Sequence, residues 1–311
     1  MRVLIALGGN AMTGPDGSAT PEAQDAAIAT AVEHIADLVA SGVEVLLTHG
    51  NGPQVGNLLV KNEIAAQVVP PVPLDWCGAQ TQATIGFLIL DSLDRALATR
   101  RVDRKVAAVV TRTRVDGSDP GFVTPSKPVG RYLPEDEARV LVEHGQTWED
   151  RGERGWRRVV ASPEPLEVLD APAIATLCDA GFVVVGAGGG GIPVVRDPDG
   201  TLRGVEAVID KDLAAAVLAR AVGVEILVIA TDVEHAVLGY GTPQARPVGQ
   251  VSPQQMRTHA ADGEFASGSM GPKVEAAVRF VEQGGRRSAI TSLQNITEAV
   301  HGSAGTVIER R

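Results

Sequence analysis

The sequence predicts an α/β fold in which a mostly parallel sheet is covered by helices on both faces. Two observations lead to this class. Short runs rich in β-branched residues alternate along the chain with amphipathic helical patterns. The 311 residues are also 44% hydrophobic, which is enough apolar material for one large domain with a sizeable core.

The individual elements follow from local pattern. A first helix is predicted to begin at Thr20-Pro21, with threonine as N-cap and proline in the first turn, and to end at Ser41-Gly42. Two later helices, near 210–222 and 273–282, each end before a glycine that can serve as a C-cap. The predicted strands are Val3–Leu7, Val43–Thr48, Val106–Thr111, Phe182–Gly186, Glu225–Thr231, Ser288–Thr291 and Thr306–Glu309.

One region interrupts the alternation of strands and helices. From about residue 114 to residue 165 the chain is rich in Gly, Pro, Arg, Asp and Glu, and it carries Trp148 and Trp156. We interpret it as a small polar subdomain that projects from the main sheet. Insertions of this length often act as lids, and a plain surface excursion is the alternative.

Composition excludes several classes of function. The net charge of −10, the lack of a basic stripe and an aromatic content of 3% argue against a nucleic-acid partner or a membrane surface. Cys77 and Cys178 form no CxxC pair, and the six histidines show no metal-ligand spacing, so we predict neither disulfides nor metal ligands. The short N-terminal apolar run is no signal peptide and no segment approaches a membrane span, so we expect a soluble, cytoplasmic protein.

The lysines are few and unevenly placed. The chain has five lysines against twenty-three arginines, and Lys127, Lys211 and Lys273 lie in loops marked by glycine or proline. A lysine is a compact point charge, which suits one oxygen of a transferring phosphoryl group better than the planar fork of arginine. A high-GC codon bias is the alternative, and it explains Lys61 and Lys105 better than the other three.

Four glycine-rich loops offer backbone donors to an anion. Three of them, 8–10, 49–54 and 186–193, follow predicted strands, and the fourth, 268–273, leads into a helix. Ligands of open α/β sheets bind beyond the carboxyl ends of the strands, where glycine lets N–H groups approach closely. The sequence therefore predicts one crevice lined with such loops.

Two familiar nucleotide fingerprints do not fit. There is no G-x-x-x-x-G-K-[ST] segment. Residues 186–191 match G-x-G-x-x-G after a strand, but Ile192–Val195 and then Asp197-Pro-Asp-Gly200 follow, which is typical of a hairpin. The dinucleotide fingerprint needs a helix at that point, so a nicotinamide enzyme is disfavoured.

Lys211 stands between two carboxylates at the start of a predicted helix. Asp210 is suited to be the N-cap, while Asp212 is a candidate for holding neighbouring lysines that would otherwise repel one another. Lys273 lies in a first helical turn, where the dipole already favours an anion. No general base is evident, and none is needed if the nucleophile is already an anion that requires only positioning and charge stabilisation.

Over its whole length the chain resembles the carbamate kinases, within the amino acid kinase superfamily. The resemblance implies a three-layer αβα sandwich around a mostly parallel sheet, with a protruding subdomain, and a homodimer. It divides a single domain, 1–311, into an N-terminal lobe, 1–208, which contains the lid at about 114–165, and a C-terminal nucleotide lobe, 209–311. The matching motifs are Ala6–Ala11, Thr48–Gly56, Gln80–Gln82, Ile85-Gly86, Pro125–Pro128, Arg158–Val160, Ser162-Pro163, Gly186–Pro193, Glu206–Asp212, Thr231–Val233 and Gly268–Val274.

The activity that this resemblance implies is reversible phosphoryl transfer between carbamoyl phosphate and ADP, giving ATP and carbamate, with Mg²⁺. Lys127, Lys211 and Lys273 would act on the phosphoryl group, with Asp212 organising them. The loops that would cradle carbamate and the phosphoryl group contribute Gly8, Gly9, Asn10, Gly50, Asn51 and Gly52. The residues that would hold the nucleotide are Gly188, Gly189, Thr231, Asp232, Val233, Tyr240, Gly268, Met270, Gly271 and Lys273.

Two alternatives stay open at this point. One is another kinase of the superfamily acting on a small carboxylate, although neither the 8–10 nor the 50–54 loop carries an arginine to grip a second carboxylate. The other is a nucleotide-binding regulatory protein on an inactive scaffold, which would be expected to lose the cleft lysines. Relatives such as acetylglutamate kinase carry a lysine two residues before the first Gly-Gly. Here that residue is Ala6, so Lys211 and Lys127 would supply the missing charge.

Overall fold

The computed structural model describes residues 1–14, 18–266 and 268–310, with the backbone alone at residues 10 and 11. Its strands in this part of the chain are β1 (Arg2–Leu7), β2 (Glu44–His49), β3 (Val106–Ala108), β4 (Arg112–Arg114), β5 (Lys127–Leu133), β6 (Thr147–Asp150), β7 (Trp156–Val160), β8 (Glu167–Val168), β9 (Val183–Val185), β10 (Ile192–Arg196), β11 (Leu202–Gly204), β12 (Ile226–Thr231), β13 (Val237–Leu238), β14 (Arg246–Pro247), β15 (Gln250–Val251), β16 (Arg287–Ser292) and β17 (Thr306–Glu309).

The α-helices of the same residues include several of only one or two turns. They are α1 (Pro21–Ala40), α2 (Gly52–Ala65), α3 (Leu74–Thr99), α4 (Pro120–Val123), α5 (Glu135–Glu143), α6 (Ala171–Asp179), α7 (Lys211–Ala221), α8 (Pro253–Ala261), α9 (Met270–Glu282) and α10 (Ile296–His301). None of the described helices is both long and apolar enough to cross a membrane.

The main sheet has eight strands in the order β15-β17-β16-β12-β1-β2-β9-β3. Every neighbouring pair is parallel except β16 and β17. All seven strands expected from the sequence lie in this sheet, and β15 is added at one edge. The predicted mostly parallel sheet is therefore confirmed.

Two hydrophobic cores lie on opposite faces of this sheet. Along β1, the side chains of Val3, Ile5 and Leu7 pack in one core with residues of α1 and α3. Leu4 and Ala6 point the other way, into a core formed with α7 and α9. Because successive side chains of a strand face opposite sides, a strand buried on both sides is apolar throughout, as β1 is. The result is the predicted three-layer αβα arrangement.

The region that interrupts the sequence pattern contains its own sheet. β5, β7 and β6 form an antiparallel sheet with α5 beside it. This sheet lies within the lid predicted at about 114–165, and we call its residues, 127–160, the lid subdomain, while the role of a lid stays a prediction. A third sheet has the order β11-β10-β4-β8, and in the chain its strands β4 and β8 flank the lid subdomain. In it β10 and β11 pair antiparallel around Asp197–Gly200, so the predicted hairpin is confirmed.

The lid subdomain rests on α2. Val129 of β5 and Val160 of β7 share a buried cluster with Val55 and Leu59 of α2. A Cβ placed on Gly56 of α2 would lie 3.4 Å from the Cα of the lid's Gly130, so glycine at this position allows the helix and the strand to approach closely. The lid subdomain therefore packs on α2 through a buried apolar contact.

The division of the chain into two lobes stays a prediction.

The three helices predicted from local pattern are present. The side chain of Thr20 caps α1 by accepting a hydrogen bond from the backbone N–H of Ala23 at 3.3 Å. α7 begins at Lys211 with Asp210 as its cap. α9 begins at Met270, three residues earlier than predicted, so Lys273 lies at the end of its first turn.

Candidate active site

The loops after β1, β2 and β12 meet at the carboxyl edge of the main sheet. The backbone N–H of Gly8 donates to the carbonyl oxygen of Ala230 at 2.9 Å, and the N–H of Gly50 donates to that of Leu7 at 3.0 Å. A Cβ on Gly8 would lie 2.9 Å from the same Ala230 oxygen, which is too close for any other residue without rearrangement. These contacts fix the glycine loops side by side, as the crevice prediction requires.

The three lysines expected in loops instead begin or lie within elements, at the start of β5, at the start of α7 and in the first turn of α9. Two of them, Lys211 and Lys273, converge on one buried carboxylate. Nζ of Lys211 contacts Oδ1 of Asp212, and Nζ of Lys273 donates to Oδ2 of the same residue at 2.8 Å. Asp212 is 3% exposed, and the two lysine side chains are 12% and 16% exposed. This geometry brings two ammonium groups, from α7 and α9, to one carboxylate, and the role of Asp212 in organising them stays a prediction.

Burial and charge set the pKa values of this cluster. Burial lowers the pKa of Lys211 below its ordinary value, and the ammonium of Lys273 lowers it further, while Asp212 opposes both effects. For Asp212, burial alone would raise the pKa. The two lysines outweigh it, and the pKa of that carboxyl lies below its usual range. A buried carboxylate between two ammonium groups leaves net positive charge for an incoming anion.

The third lysine has a different partner. Nζ of Lys127, at the start of β5, donates to Oδ2 of Asp210 at 2.9 Å. Oδ1 of Asp210 accepts hydrogen bonds from the backbone N–H groups of Asp212 and Leu213, at 3.0 and 3.3 Å. Asp210 is therefore the expected N-cap and also an ion-pair partner, a second role that the sequence alone did not indicate.

A cavity of about 240 Å³, which we call the lid-side cavity, lies between the lid subdomain and the start of α7. Lys127, Lys211 and Lys273 all line it, and so do residues 50–52 of the loop after β2. The predicted residues at this cavity are Gly50, Asn51, Gly52, Lys127, Gly189, Lys211, Asp212, Gly268 and Lys273. Three ammonium groups outnumber the carboxylates of Asp210 and Asp212 at this cavity, and the resulting positive charge beside a glycine-rich wall suits a phosphoryl group.

A second cavity, of about 230 Å³, lies on the other side of Lys273, and we call it the nucleotide cavity after the residues predicted there. Its mostly apolar wall contains Val237 and Phe265, and Glu264 at this wall accepts a hydrogen bond from the N–H of Gly239 at 2.7 Å. The predicted nucleotide residues at this cavity are Thr231, Asp232, Val233, Tyr240, Met270 and Lys273. An apolar slot with a few polar groups beside a cluster of cations fits a purine nucleotide whose phosphates point toward Lys273.

A smaller cavity of about 150 Å³ shares Lys273 with both of these. It is lined by Gly8 and Gly9 on one side and by Thr231, Asp232 and Lys273 on the other. Lys273 borders all three cavities. A phosphoryl group moving between a ligand of the lid-side cavity and a nucleotide would pass this side chain.

Comparison with known proteins agrees with this geometry. The family model described as the amino acid kinase family matches residues 1–292. The chain belongs to this family. Within it, a carbamate kinase of Thermococcus kodakarensis is 46% identical over 99% of both chains, and one of Pyrococcus furiosus is 43% identical over 99% of this chain and 98% of the relative. The solved carbamate kinase of Giardia lamblia bound to AMP-PNP superposes with a TM-score of 0.94, at 39% identity, over 100% of this chain and 98% of that one.

These relatives confirm the resemblance to the carbamate kinases. The crevice also contains His49, a residue for which the sequence predicted no role. His49 is buried, and its Nδ1 lies 2.9 Å from the carbonyl oxygen of Gly50, so the neutral ring donates from Nδ1. Burial and the charge of Lys211 lower the pKa of His49 to about 4. The neutral ring supports the loop after β2 without adding a fourth cation.

A few predicted residues of this kinase lie away from their expected neighbours. Gly188 is buried against the ring of His49, where a Cβ would overlap the ring. Gly189 lines the lid-side cavity, where it faces Asn51, and so neither glycine borders the nucleotide cavity. Gly271 stands in the first turn of α9, behind Met270, and its N–H donates to the carbonyl of Ala266 at 2.9 Å. The side chain of Asn10 lies outside the described residues.

The crevice wall also has a second layer that the sequence did not reveal. Nδ2 of Asn51 donates to Oγ1 of Thr81 on α3 at 2.9 Å, which fixes the amide beside Gly189. Nε2 of Gln82 donates to the carbonyl of Gly188 at 2.9 Å. The sequence did contain one sign of these contacts, the motif Gln80–Gln82 that the chain shares with the carbamate kinases. Polar side chains that a helix buries need hydrogen-bond partners.

Proposed function

We propose that this kinase transfers a phosphoryl group between carbamoyl phosphate and ADP, giving ATP and carbamate. The observation that carries the proposal is the arrangement of Lys127, Lys211 and Lys273 around one cavity, with Asp212 between two of them. Identity of 40–46% to carbamate kinases over the whole chain supports the same substrates. The Giardia lamblia carbamate kinase bound to AMP-PNP supports an adenine nucleotide as one of the two substrates.

In the ATP-forming direction, an oxygen of the ADP β-phosphate attacks the phosphorus of carbamoyl phosphate. The bond from phosphorus to the carbamate oxygen breaks as the bond to ADP forms, and carbamate leaves as an anion. No proton is transferred, so no general base is required. The lysines stabilise the charge on the transferring group, and the glycine loops hold carbamate and the phosphoryl group in line.

We propose that Mg²⁺ accompanies the nucleotide. The described residues contain no group of three or more His, Cys, Asp and Glu side chains suited to hold a metal. Mg²⁺ on nucleotide phosphates keeps several of its waters and needs few protein ligands, which fits a site whose cations are lysines. Asp232, at the rim of two cavities, is the carboxylate best placed to touch such an ion or its water shell. The ion would shield the negative charge of the phosphates.

The substrate choice is tested with a panel of acyl phosphates. Purified protein is mixed with Mg²⁺, ADP and either carbamoyl phosphate, acetyl phosphate or an amino-acid acyl phosphate, and ATP is measured in a coupled assay. We expect ATP from carbamoyl phosphate at a much higher kcat/KM than from the others. A preference for an amino-acid acyl phosphate would favour the other superfamily kinase, and ADP binding without turnover would favour the regulatory protein.

We also propose that the protein is a cytoplasmic homodimer. The outer face of α3 exposes Trp76 and Phe87, 60% and 63% accessible, and Val110 beyond the edge strand β3 is 59% accessible. Large apolar side chains left exposed on a helix and next to an edge strand are typical of a protein interface. Light scattering should give a dimer, and Phe87→Asp should weaken it. Val140→Asp, on the lid's α5, is the control and should not.

A further inference from the structure

Asp210 joins the lid subdomain to the first turn of α7. Its Oδ1 caps the helix, while Oδ2 accepts the hydrogen bond from Lys127 at 2.9 Å, across 83 positions of sequence. A second link runs in parallel with this one, because the backbone N–H of Val208 donates to the carbonyl of Ala161 at 2.9 Å, just beyond β7. The chain immediately before α7 is therefore tied to both strands that begin and end the lid.

The three cleft lysines are divided between two carboxylates. Asp212 pairs with Lys211 and Lys273, so that each of its two carboxylate oxygens already contacts one ammonium group. Lys127 would be a third ammonium beside the same cavity, and like charges in one cleft repel unless a carboxylate stands among them. Asp210 supplies that carboxylate, and its side chain is only 13% exposed.

We infer that Asp210 is a positioning residue, which holds the lid's Lys127 at the cavity before substrate arrives. The inference rests on the proposed function, because it concerns where that reaction's third cation stands. A lysine has three donors, so Lys127 can keep the bond to Asp210 and still offer N–H groups to phosphoryl oxygens. Asp210 does not itself line the nucleotide cavity, so its effect should fall on the acyl phosphate and on turnover rather than on ADP binding.

The alternative role is that Asp210 only caps α7. Asparagine is as good an N-cap as aspartate, and serine is equally favoured. Asp210→Asn therefore keeps the cap and removes the charge that pairs with Lys127, and Asp210→Ser is a second variant of the same kind. A role limited to capping predicts that both behave like the wild type.

The pair is tested first without substrate, by hydrogen exchange in the full-length protein. We expect Asp210→Asn and Lys127→Met each to speed exchange of residues 127–133 by about 2- to 5-fold, the scale of a partly exposed ion pair. The double variant should exchange no faster than the single ones, because both remove the same interaction. Glu63→Gln is the matched control. It removes the 3.2 Å pair between Glu63 on α2 and Arg131 on the same lid strand, outside the cavity, and should leave turnover unchanged.

Steady-state kinetics then separate positioning from structure. Asp210→Asn should lower kcat by about 10-fold or more, as expected when a reacting group is displaced. It should leave KM for ADP and the melting temperature unchanged. Three results would each overturn the inference. Asp210→Asn could show the exchange and the kinetics of the wild type, or it could exchange faster with a normal kcat. The double variant could show the sum of the two single effects on exchange. If the wild type formed no ATP, the proposed function would fail, whereas the exchange cycle would still decide whether the pair holds the lid.

Discussion

Replacing Asp212 by asparagine removes one charge from the centre of the lysine cluster and little volume. Asp212 is 3% exposed, and each of its oxygens meets a different ammonium group. The variant keeps one amide oxygen as acceptor and turns the other position into a donor that faces a lysine. Two ammonium groups then share a largely buried cleft without a carboxylate between them.

The size of the effect follows from this burial. Removing one partner of a buried ion pair costs about 3–5 kcal/mol, because the remaining charge is left uncompensated. We therefore expect Asp212→Asn to lower the free energy of unfolding by that order. Loss of a preorganised electrostatic group lowers kcat by about 10²- to 10³-fold, and we expect a loss at least as large here, since two lysines are displaced.

The pH dependence of the variant gives the sharper test. In the wild type burial lowers the pKa of Lys211, and Asp212 opposes the effect. Without Asp212 that pKa falls further, so Lys211 loses its proton at a lower pH. In the proposed mechanism, turnover requires the ammonium form of Lys211. The alkaline limb of the kcat profile should therefore move to lower pH in Asp212→Asn, and part of the lost activity should return as the pH is lowered.

The assay is ATP formation from carbamoyl phosphate and ADP over a range of pH, with circular dichroism to confirm folding. Asp103→Asn is the control, because Asp103 pairs with Lys105 at 3.8 Å on the surface, where the carboxylate is 96% exposed. This variant should behave as wild type. A folded Asp212→Asn protein with normal kcat, or with a reduced kcat and an unshifted profile, would refute the reasoning.

Three further predictions concern other parts of the molecule. The pKa of His49 is about 4 in the folded state against 6.5 ordinarily, so the unfolded chain binds the extra proton between these values and stability is lost as the pH falls from 6.5 to about 4. At about 1.4 kcal/mol per pKa unit, the free energy of unfolding should fall by about 3 kcal/mol over this range. Urea titrations at several pH values should show a smaller fall in His49→Asn. Cys77 and Cys178 are 0% and 4% exposed, and burial raises the pKa of both thiols. A thiol reagent should therefore label them only after unfolding, and rapid labelling of the native protein would contradict the structure. Hydrogen exchange of residues 127–160 should slow more with carbamoyl phosphate than with ADP, since Lys127 faces the lid-side cavity, and equal slowing would argue against a lid.

The main sheet could be predicted from sequence because its strands are buried on both faces. β1 and β12 are continuous apolar runs, and such runs between helical patterns have few alternative interpretations. The third sheet was not predicted. Its strands are two to five residues long and partly polar, as in β4 and β11, so only the turn at Asp197–Gly200 gave a local signal.

The site was predictable to the extent that its chemistry is local. Lys211 and Asp212 are neighbours in sequence, and the scarcity of lysine pointed to Lys273 as well. The pair of Lys127 with Asp210 depends on how the lid folds back across the chain, which no local pattern encodes. His49 was missed for a related reason, since a single histidine after a strand gives no sign that its ring will support a glycine loop.

We expect phosphoryl transfer to depend on the placement of the lysines rather than on their number. The decisive measurement is kcat for ATP formation in four matched variants, Lys211→Ala, Lys273→Ala, Lys61→Ala and Lys105→Ala. We expect a fall of about 10²-fold or more for the first two, whose ammonium groups meet at Asp212, and nearly unchanged turnover for the last two. Similar effects in all four variants, or normal turnover in Lys211→Ala and Lys273→Ala, would contradict it.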